Sequence, residues 1–385
     1  MKISDTIEYI GVTDRKIDLF EGQYPVPDGI TYNSFAIMDD KVAIMDSVDI
    51  AFTQEWLENL EAALKGRKPD YLIIHHMEPD HSASIKIFME KYPATRIVVS
   101  AKAFSMIRNF FGTDYSEHNL IVGDGDTLSL GKHELTFYTA PMVHWPEVIV
   151  TYDSYDKILF SADGFGCFGS PADIEEWIPQ GRRYYMGIVS KYGAQVQALL
   201  KKLSGLDIQK IHSLHGTVLD KSVHTCLELY DIWSSWRPES DGIVIAYTSV
   251  YGNTKKAVEL LAEKIHAEGE NRVVLYDLAR CDMSEAVTDA FRYSKLVLAS
   301  PTYNGDIFPF MRTFIDHLTG RNFQNRKIAL MENGSWAPVA AKVMQGMLEK
   351  SKNLSFAETT VRILSAINEE TETEIERLAK EMCRD

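Results

Sequence analysis

Residues 71–81 read Tyr-Leu-Ile-Ile-His-His-Met-Glu-Pro-Asp-His, an apolar run followed directly by a cluster of polar side chains. The first four residues are apolar, which is typical of a short buried strand. Four side chains that can bind metal ions follow within six residues: His76, Glu78, Asp80 and His81. Because their spacing does not place them on one face of a helix, we expect a turn that folds the donors inward. A helix over residues 85–91 should follow, capped by Ser82 or Ser84.

Three further potential ligands lie far along the chain, each at the predicted end of a strand: His144, Asp163 and His215. Taken alone, the first cluster is equally typical of a polar loop. One cluster joined by three isolated ligands on separate loops instead favours a two-metal site on a rigid scaffold. Imidazoles suit zinc or iron, and the three carboxylates Glu78, Asp80 and Asp163 favour iron.

The composition is that of an ordinary globular protein with room for about two domains. The chain has 385 residues, of which 45% are hydrophobic and 25% are charged. Its net charge of −15 disfavours binding to nucleic acid phosphates or anionic lipid. No apolar run approaches the roughly 18 residues that a membrane-spanning helix needs, and no apolar signal segment follows the first residues. We therefore expect a cytoplasmic protein that binds neither nucleic acid nor membrane.

The chain has four cysteines, and no two of them form a CxxC pair: Cys167, Cys226, Cys281 and Cys383. This excludes a rubredoxin-type or ferredoxin-type iron site built from these residues, and it argues against a disulfide framework.

The two halves of the chain have different patterns. Strand-like stretches dominate residues 1–240, with helices expected over residues 52–64, 103–111 and 185–203, so we predict sheets covered by helices. Residues 233–242 mix Ser, Pro and Gly before a new apolar strand, which places the domain boundary near Ser240. Residues 241–385 alternate five strands, at 243–247, 272–276, 295–299, 327–331 and 360–364, with helices. This alternation predicts a doubly wound parallel sheet of the flavodoxin-like type, whose ligands bind in the loops after the strands.

Three of these loops predict a site for a flavin. The first leads into a helix over residues 255–267, so its hydroxyls, the N–H groups freed by Gly252 and the helix N-terminus can hold a phosphate without Lys or Arg. The other two place Tyr303 and Trp336 beside small or polar residues, as stacking against a flavin ring requires. The alternative is that these aromatics are ordinary turn or core residues. The candidate cofactor-binding residues are Thr248, Ser249, Val250, Tyr251, Gly252, Asn253, Thr254, Ser300, Pro301, Thr302, Tyr303, Asn304, Gly305, Asn333, Gly334, Ser335 and Trp336.

The ligand series resembles the metallo-β-lactamase superfamily, whose usual cluster is HxHxDH followed by a distant His, Asp and His. Here Glu78 replaces the second His, which resembles the HxExDH pattern of the flavodiiron proteins (A-type flavoproteins). The resemblance implies an N-terminal αββα metallo-β-lactamase-like sandwich over residues 1–240 and a flavodoxin-like, FMN-binding domain over residues 241–385. It also implies two irons per subunit, one held by His76, Glu78 and His144, the other by Asp80, His81 and His215, with Asp163 as the bridge. The residue at the position of His81 is not a ligand in some members of this family. His75 is expected to support the site or the fold without binding metal.

The same resemblance implies reduction of dioxygen to water, of nitric oxide to nitrous oxide, or of both. FMN would relay electrons from an external donor such as rubredoxin, because the chain has no CxxC pair of its own. A head-to-tail homodimer, or a tetramer built from it, would bring the flavin of one subunit to the diiron site of the other. Two alternatives are a binuclear zinc hydrolase of the same superfamily, in which zinc-bound hydroxide attacks a carbonyl, and an electron carrier whose metal site is structural.

Overall fold

The computed structural model describes residues 2–113 and 115–384. The chain divides into two compact units, Met1–Asp231 and Ile232–Asp385. The boundary near Ser240 that the sequence suggests stays a prediction. In the described part of the chain, no helix combines the length and the apolar character needed to cross a membrane.

The first unit is built on two sheets, one with the strand order β1-β6-β7-β8-β9-β10 and one with the order β11-β12-β13-β14-β15. Two short two-stranded sheets, β2-β5 and β3-β4, accompany them. The strands are β1 (Ile7–Tyr9), β2 (Val12–Asp14), β3 (Leu19–Phe20), β4 (Tyr24–Pro25), β5 (Ile30–Tyr32), β6 (Phe35–Met38), β7 (Val42–Met45), β8 (Tyr71–Ile73), β9 (Arg96–Val99), β10 (Asn119–Ile121), β11 (Thr127–Ser129), β12 (Glu134–Thr139), β13 (Ile149–Asp153), β14 (Ile158–Phe160) and β15 (Lys210–His212). The helices are α1 (Thr53–Leu64), α2 (Pro79–Ser82), α3 (Ile85–Lys91), α4 (Ala101–Phe111), α5 (Ile174–Tyr184), α6 (Gly193–Leu203) and α7 (Val223–Ser234), the last of which spans the division between the units.

Alternation along the strands explains why the first sheet has apolar layers on both faces. In β6, Phe35 and Ile37 join the core that also contains Phe137 and Phe160 of the second sheet. Ala36, between them, belongs instead to the core that includes residues of α1, α3 and α4. Because successive side chains of a strand point to opposite faces, one strand serves both layers. The result is a sandwich of two sheets, the first of which is covered by helices.

The second unit is a parallel sheet with the order β17-β16-β18-β20-β21, and the short β19 pairs antiparallel with β18. Its strands are β16 (Ser240–Tyr247), β17 (Val273–Asp277), β18 (Tyr293–Tyr303), β19 (Asp306–Ile307), β20 (Lys327–Asn333) and β21 (Ser355–Ile363). Its further helices are α8 (Asn253–Ala267), α9 (Met283–Arg292), α10 (Pro309–Gly320), α11 (Ala340–Leu348) and α12 (Glu369–Cys383). Without the antiparallel β19, the order is 2-1-3-4-5, which confirms the predicted flavodoxin-like sheet.

Two local predictions for the first unit were only partly correct. Ser84 occupies the N-cap position of α3, but its side chain makes no capping hydrogen bond and instead donates to the carbonyl of Val48 at 2.9 Å. The region predicted as one helix over residues 185–203 contains a π-helical turn (Tyr185–Val189), a 3-10 turn (Ser190–Tyr192) and then α6. The helix α5 that precedes them was missed because Pro179 lies inside it.

Candidate metal centre and flavin cleft

The seven candidate metal ligands all follow strand ends of the first unit. His76 follows β8, Glu78 is the N-cap residue of α2, and Asp80 and His81 lie within α2. His144, Asp163 and His215 follow β12, β14 and β15. Loops at the ends of strands can carry polar groups that the apolar sandwich cannot, and the strands fix where each loop starts. The structure brings all seven residues into two adjoining groups.

The first group consists of His76, Glu78 and His144. Oε2 of Glu78 lies 3.1 Å from Nε2 of His76 and 3.0 Å from Nε2 of His144. The two imidazole nitrogens are 3.3 Å apart. Three donor atoms thus converge on one point.

The second group consists of Asp80, His81 and His215. Oδ2 of Asp80 lies 3.2 Å from Nε2 of His81 and 3.3 Å from Nε2 of His215. The two imidazole nitrogens are 3.0 Å apart. His81, the least secure ligand of the family pattern, therefore aims Nε2 into this group.

Asp163 lies between the two groups and turns one oxygen toward each. Its Oδ2 is 3.3 Å from Nε2 of His76 and 3.0 Å from Nε2 of His144. Its Oδ1 is 3.5 Å from Nε2 of His81 and 3.7 Å from Nε2 of His215. A single carboxylate in this position can bridge two metal ions.

The residues present fit a pair of metal ions. Both carboxylate oxygens of Asp80 and of Asp163 are buried and accept no hydrogen bond from the described residues, although imidazole nitrogens surround them. Burial opposes ionisation of Asp163, yet the imidazoles of His76 and His144 hold its pKa well below the usual range. Burial likewise lowers the pKa of His144, but its close contacts with the carboxylates of Asp163 and Glu78, both at 3.0 Å, raise it to about 9. The cluster thus favours bound positive charge, which metal ions supply when they displace protons.

Glu147 is a buried residue of the centre that the sequence reasoning missed. Its Oε1 lies 2.8 Å from Nδ1 of His76 and accepts a hydrogen bond from the backbone N–H of Met77 at 2.9 Å. The sequence feature that could have drawn attention to Glu147 is its position three residues after His144. His75, by contrast, pairs with Asp46 at 2.5 Å through Nδ1 and joins neither ligand group.

Aromatic side chains enclose the centre. Trp145 lies edge-on to the ring of His76 at 5.1 Å, and Phe20 lies edge-on to His215 at 5.3 Å. Tyr184 packs 5.5 Å from the ring of His215, and no described residue hydrogen-bonds its buried hydroxyl. Burial, together with the carboxylates of Asp163 and Asp80, raises the pKa of this hydroxyl, so it stays protonated and can donate.

A second buried group of potential ligands, His133 with Asp153 and Asp156, does not resemble the metal centre. Nδ1 of His133 lies 2.8 Å from Asp153, and Nε2 lies 2.7 Å from the hydroxyl of Thr6. Asp156 accepts a hydrogen bond from Ser4 at 2.7 Å. Both ring nitrogens of His133 are therefore occupied within the protein.

The second unit contains a cleft of about 520 Å³ at the carboxyl ends of its strands, a volume suited to a cofactor. Fourteen of the seventeen predicted cofactor-binding residues line it. The other three are Thr248, Gly252 and Ser300, of which Thr248 and Ser300 hydrogen-bond each other in the core at 3.2 Å. The cleft is also lined by Ala337 and Ser365, which the sequence reasoning missed. Ser365 follows β21, so the rule that ligands bind after strands could have found it.

The phosphate-loop geometry is present at the start of α8. Gly252 has φ +90°, a left-handed conformation that favours glycine, and α8 begins at the next residue. The Ser249 hydroxyl accepts hydrogen bonds from the N–H groups of Gly252 and Lys255, both at 3.2 Å. At the rim of the cleft, the relative exposure is 93% for Tyr251 and 91% for Trp336.

Comparisons with known proteins agree with the folds of both units. A family model described as ODP family beta lactamase matches residues 30–216, and one described as Flavodoxin domain matches residues 244–362. An anaerobic nitric oxide reductase flavorubredoxin of Salmonella paratyphi B is 30% identical over 348 residues, which cover 87% of this chain and 72% of the relative. The chain belongs to the flavodiiron protein family.

Solved structures of flavodiiron proteins share the whole fold. The rubredoxin:oxygen oxidoreductase of Desulfovibrio gigas matches with a TM-score of 0.93 and 25% identity, covering 100% of this chain and 97% of that one. The flavodiiron protein of Giardia intestinalis matches in fold with a TM-score of 0.90 and 24% identity, covering 99% and 96%. These comparisons confirm the predicted fold class, a metallo-β-lactamase-like sandwich followed by a flavodoxin-like sheet.

Membership of the flavodiiron family makes the chain an oxidoreductase whose cofactors are FMN and two non-haem irons. The donor set of imidazoles and carboxylates suits iron, and the flavodoxin-like cleft suits FMN. A zinc hydrolase of the same superfamily would have no use for a flavodoxin domain.

Proposed function

We propose that this chain reduces dioxygen to water, nitric oxide to nitrous oxide, or both, at a diiron centre that receives electrons through FMN. The observation that carries the proposal is Asp163, whose two oxygens each face one group of ligands in a chain that also has a flavodoxin domain. The flavorubredoxin of Salmonella paratyphi B bears the name of a nitric oxide reductase, and the Desulfovibrio gigas protein that of an oxygen oxidoreductase.

In this proposal, His76, Glu78 and His144 hold one iron, Asp80, His81 and His215 hold the other, and Asp163 bridges them. When bound, the two irons and the flavin supply the electrons that reduce a small diatomic molecule. The chain's own residues do the rest. Trp145 and Phe20 keep bulk water from the ligands, and the Tyr184 hydroxyl, protonated and without a partner, is placed to hydrogen-bond an anionic product of reduction.

The partners and the location belong to the same proposal. The 385 residues contain no CxxC pair, so a donor outside them, such as a rubredoxin, would reduce the FMN. A head-to-tail homodimer would bring the flavin of one subunit to the diiron centre of its partner, and the protein would work in the cytoplasm. The functional domains would be residues 1–240 and 241–385.

Parallel anaerobic kinetics test the proposal. The protein, loaded with iron and FMN and fully reduced, is mixed with dioxygen in one experiment and with nitric oxide in the other, while flavin absorbance and products are followed. We expect rapid flavin reoxidation by at least one gas, with water or nitrous oxide as the product. Reoxidation no faster than that of free reduced FMN in both experiments, or hydrogen peroxide as the main product with dioxygen, would contradict the proposal.

A further inference from the structure

Glu147 is a buried carboxylate that contacts a candidate ligand but faces neither metal position directly. Its side chain is fully buried, with Oε1 2.8 Å from Nδ1 of His76. The same oxygen accepts a hydrogen bond from the backbone N–H of Met77 at 2.9 Å. Ser100 donates to the Glu147 carbonyl at 2.7 Å, so the backbone is held as well. Because an ionised carboxylate only accepts, Nδ1 of His76 carries the proton and Nε2 is left to face the ligand group.

The two metal positions have the same kinds of ligand side chain but differ in the groups that contact the far side of the imidazoles. Each has two imidazoles and one carboxylate of its own, and both share Asp163. Asp163 lies somewhat nearer the first group, at 3.0 to 3.3 Å against 3.5 to 3.7 Å for the second, and a further difference can come from what the far side of each imidazole contacts.

Those far-side contacts are unequal. Behind His76 stands the carboxylate of Glu147, whereas Nδ1 of His215 lies 2.7 Å from the neutral carbonyl of Thr31. The buried Nδ1 of His81 has no hydrogen-bond partner in residues 2–113 and 115–384. An imidazole that donates to a carboxylate is a more basic and better oriented ligand than one that donates to a carbonyl or to nothing.

We infer that Glu147 is a positioning residue that makes the two metal positions unequal. The position of His76, Glu78 and His144 binds a divalent ion more tightly than the position of Asp80, His81 and His215. This inference rests on the proposed function only in requiring that two ions bind.

Titration of the metal-free, FMN-containing protein with Co²⁺, against a competing chelator, tests the inference. We expect two resolved binding steps in the wild type. Glu147→Gln should weaken the tighter step by about 10- to 100-fold, the usual effect of losing such a partner, and leave the weaker step within about threefold. The visible absorption of the first Co²⁺ should shift, and Glu147→Asp, which keeps the charge, should recover part of the lost affinity.

The chain offers a matched control in Asp153→Asn. Asp153 is a fully buried carboxylate 2.8 Å from Nδ1 of His133, so its loss also breaks a buried pair, but away from the ligand groups. We expect both Co²⁺ steps to be unchanged in this variant. An equal loss of affinity in Asp153→Asn and Glu147→Gln would show that the effect is only structural and would overturn the inference.

Ligand variants give an independent reading if Glu147→Gln fails to fold. Glu78→Gln should remove the tighter step, and Asp80→Asn should remove the weaker one; the reverse order overturns the inference. Two equal steps in the wild type also overturn it but leave the proposed function standing. Failure of the wild type to bind two ions would instead contradict the proposed function itself.

Discussion

At the scale of single residues, Asp163 has the most demanding position, because one carboxylate serves both ligand groups. Asp163→Asn keeps the size of the side chain but removes the charge that both positions share. We expect the iron content to fall from two per chain toward zero and turnover to be lost, while FMN stays bound. Iron analysis and gas-consumption assays measure these changes.

The control for this variant is Asp220→Asn, which changes an exposed carboxylate of the same unit. It should leave the iron content and the turnover at wild-type levels. An Asp163→Asn protein with two irons and normal activity would refute the bridging assignment.

Tyr184 offers a prediction about turnover without loss of cofactor. Tyr184→Phe removes only a hydroxyl that has no hydrogen-bond partner among the described residues. If that hydroxyl stabilises the reacting molecule by about 1.4 kcal/mol, as a typical hydrogen bond does, kcat should fall about tenfold. Tyr152→Phe, which loses a hydrogen bond to the carbonyl of Asp207, should leave kcat unchanged. Equal kcat in Tyr184→Phe and the wild type would remove Tyr184 from the reaction.

At the scale of elements, the loop after β15 depends on one glycine. Gly216 has φ +86°, and a Cβ added there would lie 2.2 Å from Sγ of Cys167. Its N–H also donates to Oγ1 of Thr31 at 2.6 Å, close to the carbonyl that holds His215. Gly216→Ala should therefore lower the free energy of unfolding by about 1–3 kcal/mol and loosen metal binding. Denaturant unfolding measures the first effect; Gly205→Ala, whose Cβ would meet open space, is the matched control.

The strand β15 also carries a buried histidine that should make stability depend on pH. His212 lies between the rings of Phe35 and Phe160, and neither ring nitrogen has a hydrogen-bond partner in the part of the chain that the structure describes. Burial, with a smaller effect of Lys210, lowers its pKa to about 3. The unfolded chain, with a histidine pKa of about 6.5, binds this proton first, so stability falls as the pH drops from about 6.5 toward 3.

Replacement of His212 should flatten that dependence. In metal-free protein, His212→Phe should reduce the slope of unfolding free energy against pH, by up to about 1.4 kcal/mol per unit below pH 6. The exposed His224 provides the control substitution, His224→Phe, which should keep the wild-type slope. An unchanged slope in His212→Phe would show that this histidine does not titrate as inferred.

The sequence predicts those parts of the site whose residues are close together in the chain, and it misses those that only tertiary packing brings together. The loops after β8 and β16 could be predicted because strand, turn and ligand types are adjacent in the chain. Glu147 was missed, because its role follows from packing against His76, which is 71 residues away, and its nearness to His144 in the sequence is a weak signal by itself. The helix α5 was missed because it contains a proline, which tertiary packing tolerates. The capping hydrogen bond expected from Ser84 does not form, because its hydroxyl donates to a carbonyl of another segment.

At the scale of the whole molecule, the exposed aromatics at the cleft rim are candidate contacts for the proposed dimer. Tyr251 and Trp336 are almost fully exposed, and large exposed aromatics are typical of interface anchors. If the proposed dimer uses this rim, the double substitution Tyr251→Ala and Trp336→Ala should raise the dimer Kd at least about 30-fold, since two anchors contribute 2 kcal/mol or more. Analytical ultracentrifugation measures this change.

The comparison for this prediction is Leu275→Ala, which truncates an exposed apolar residue on β17, an edge strand of the same sheet. It should leave the Kd unchanged. A double variant that dimerises like the wild type would place the subunit contact elsewhere.

The uncharged lining of the cleft predicts how flavin binding depends on ionic strength. None of its described lining residues is Asp, Glu, Lys, Arg or His, so the flavin phosphate would be held by hydroxyls, N–H groups and the start of α8. Short-range dipoles of this kind are screened by dissolved ions far less than a pair of exposed charges. Retention of the flavin would then be nearly indifferent to salt, although encounters with a charged electron donor would not be.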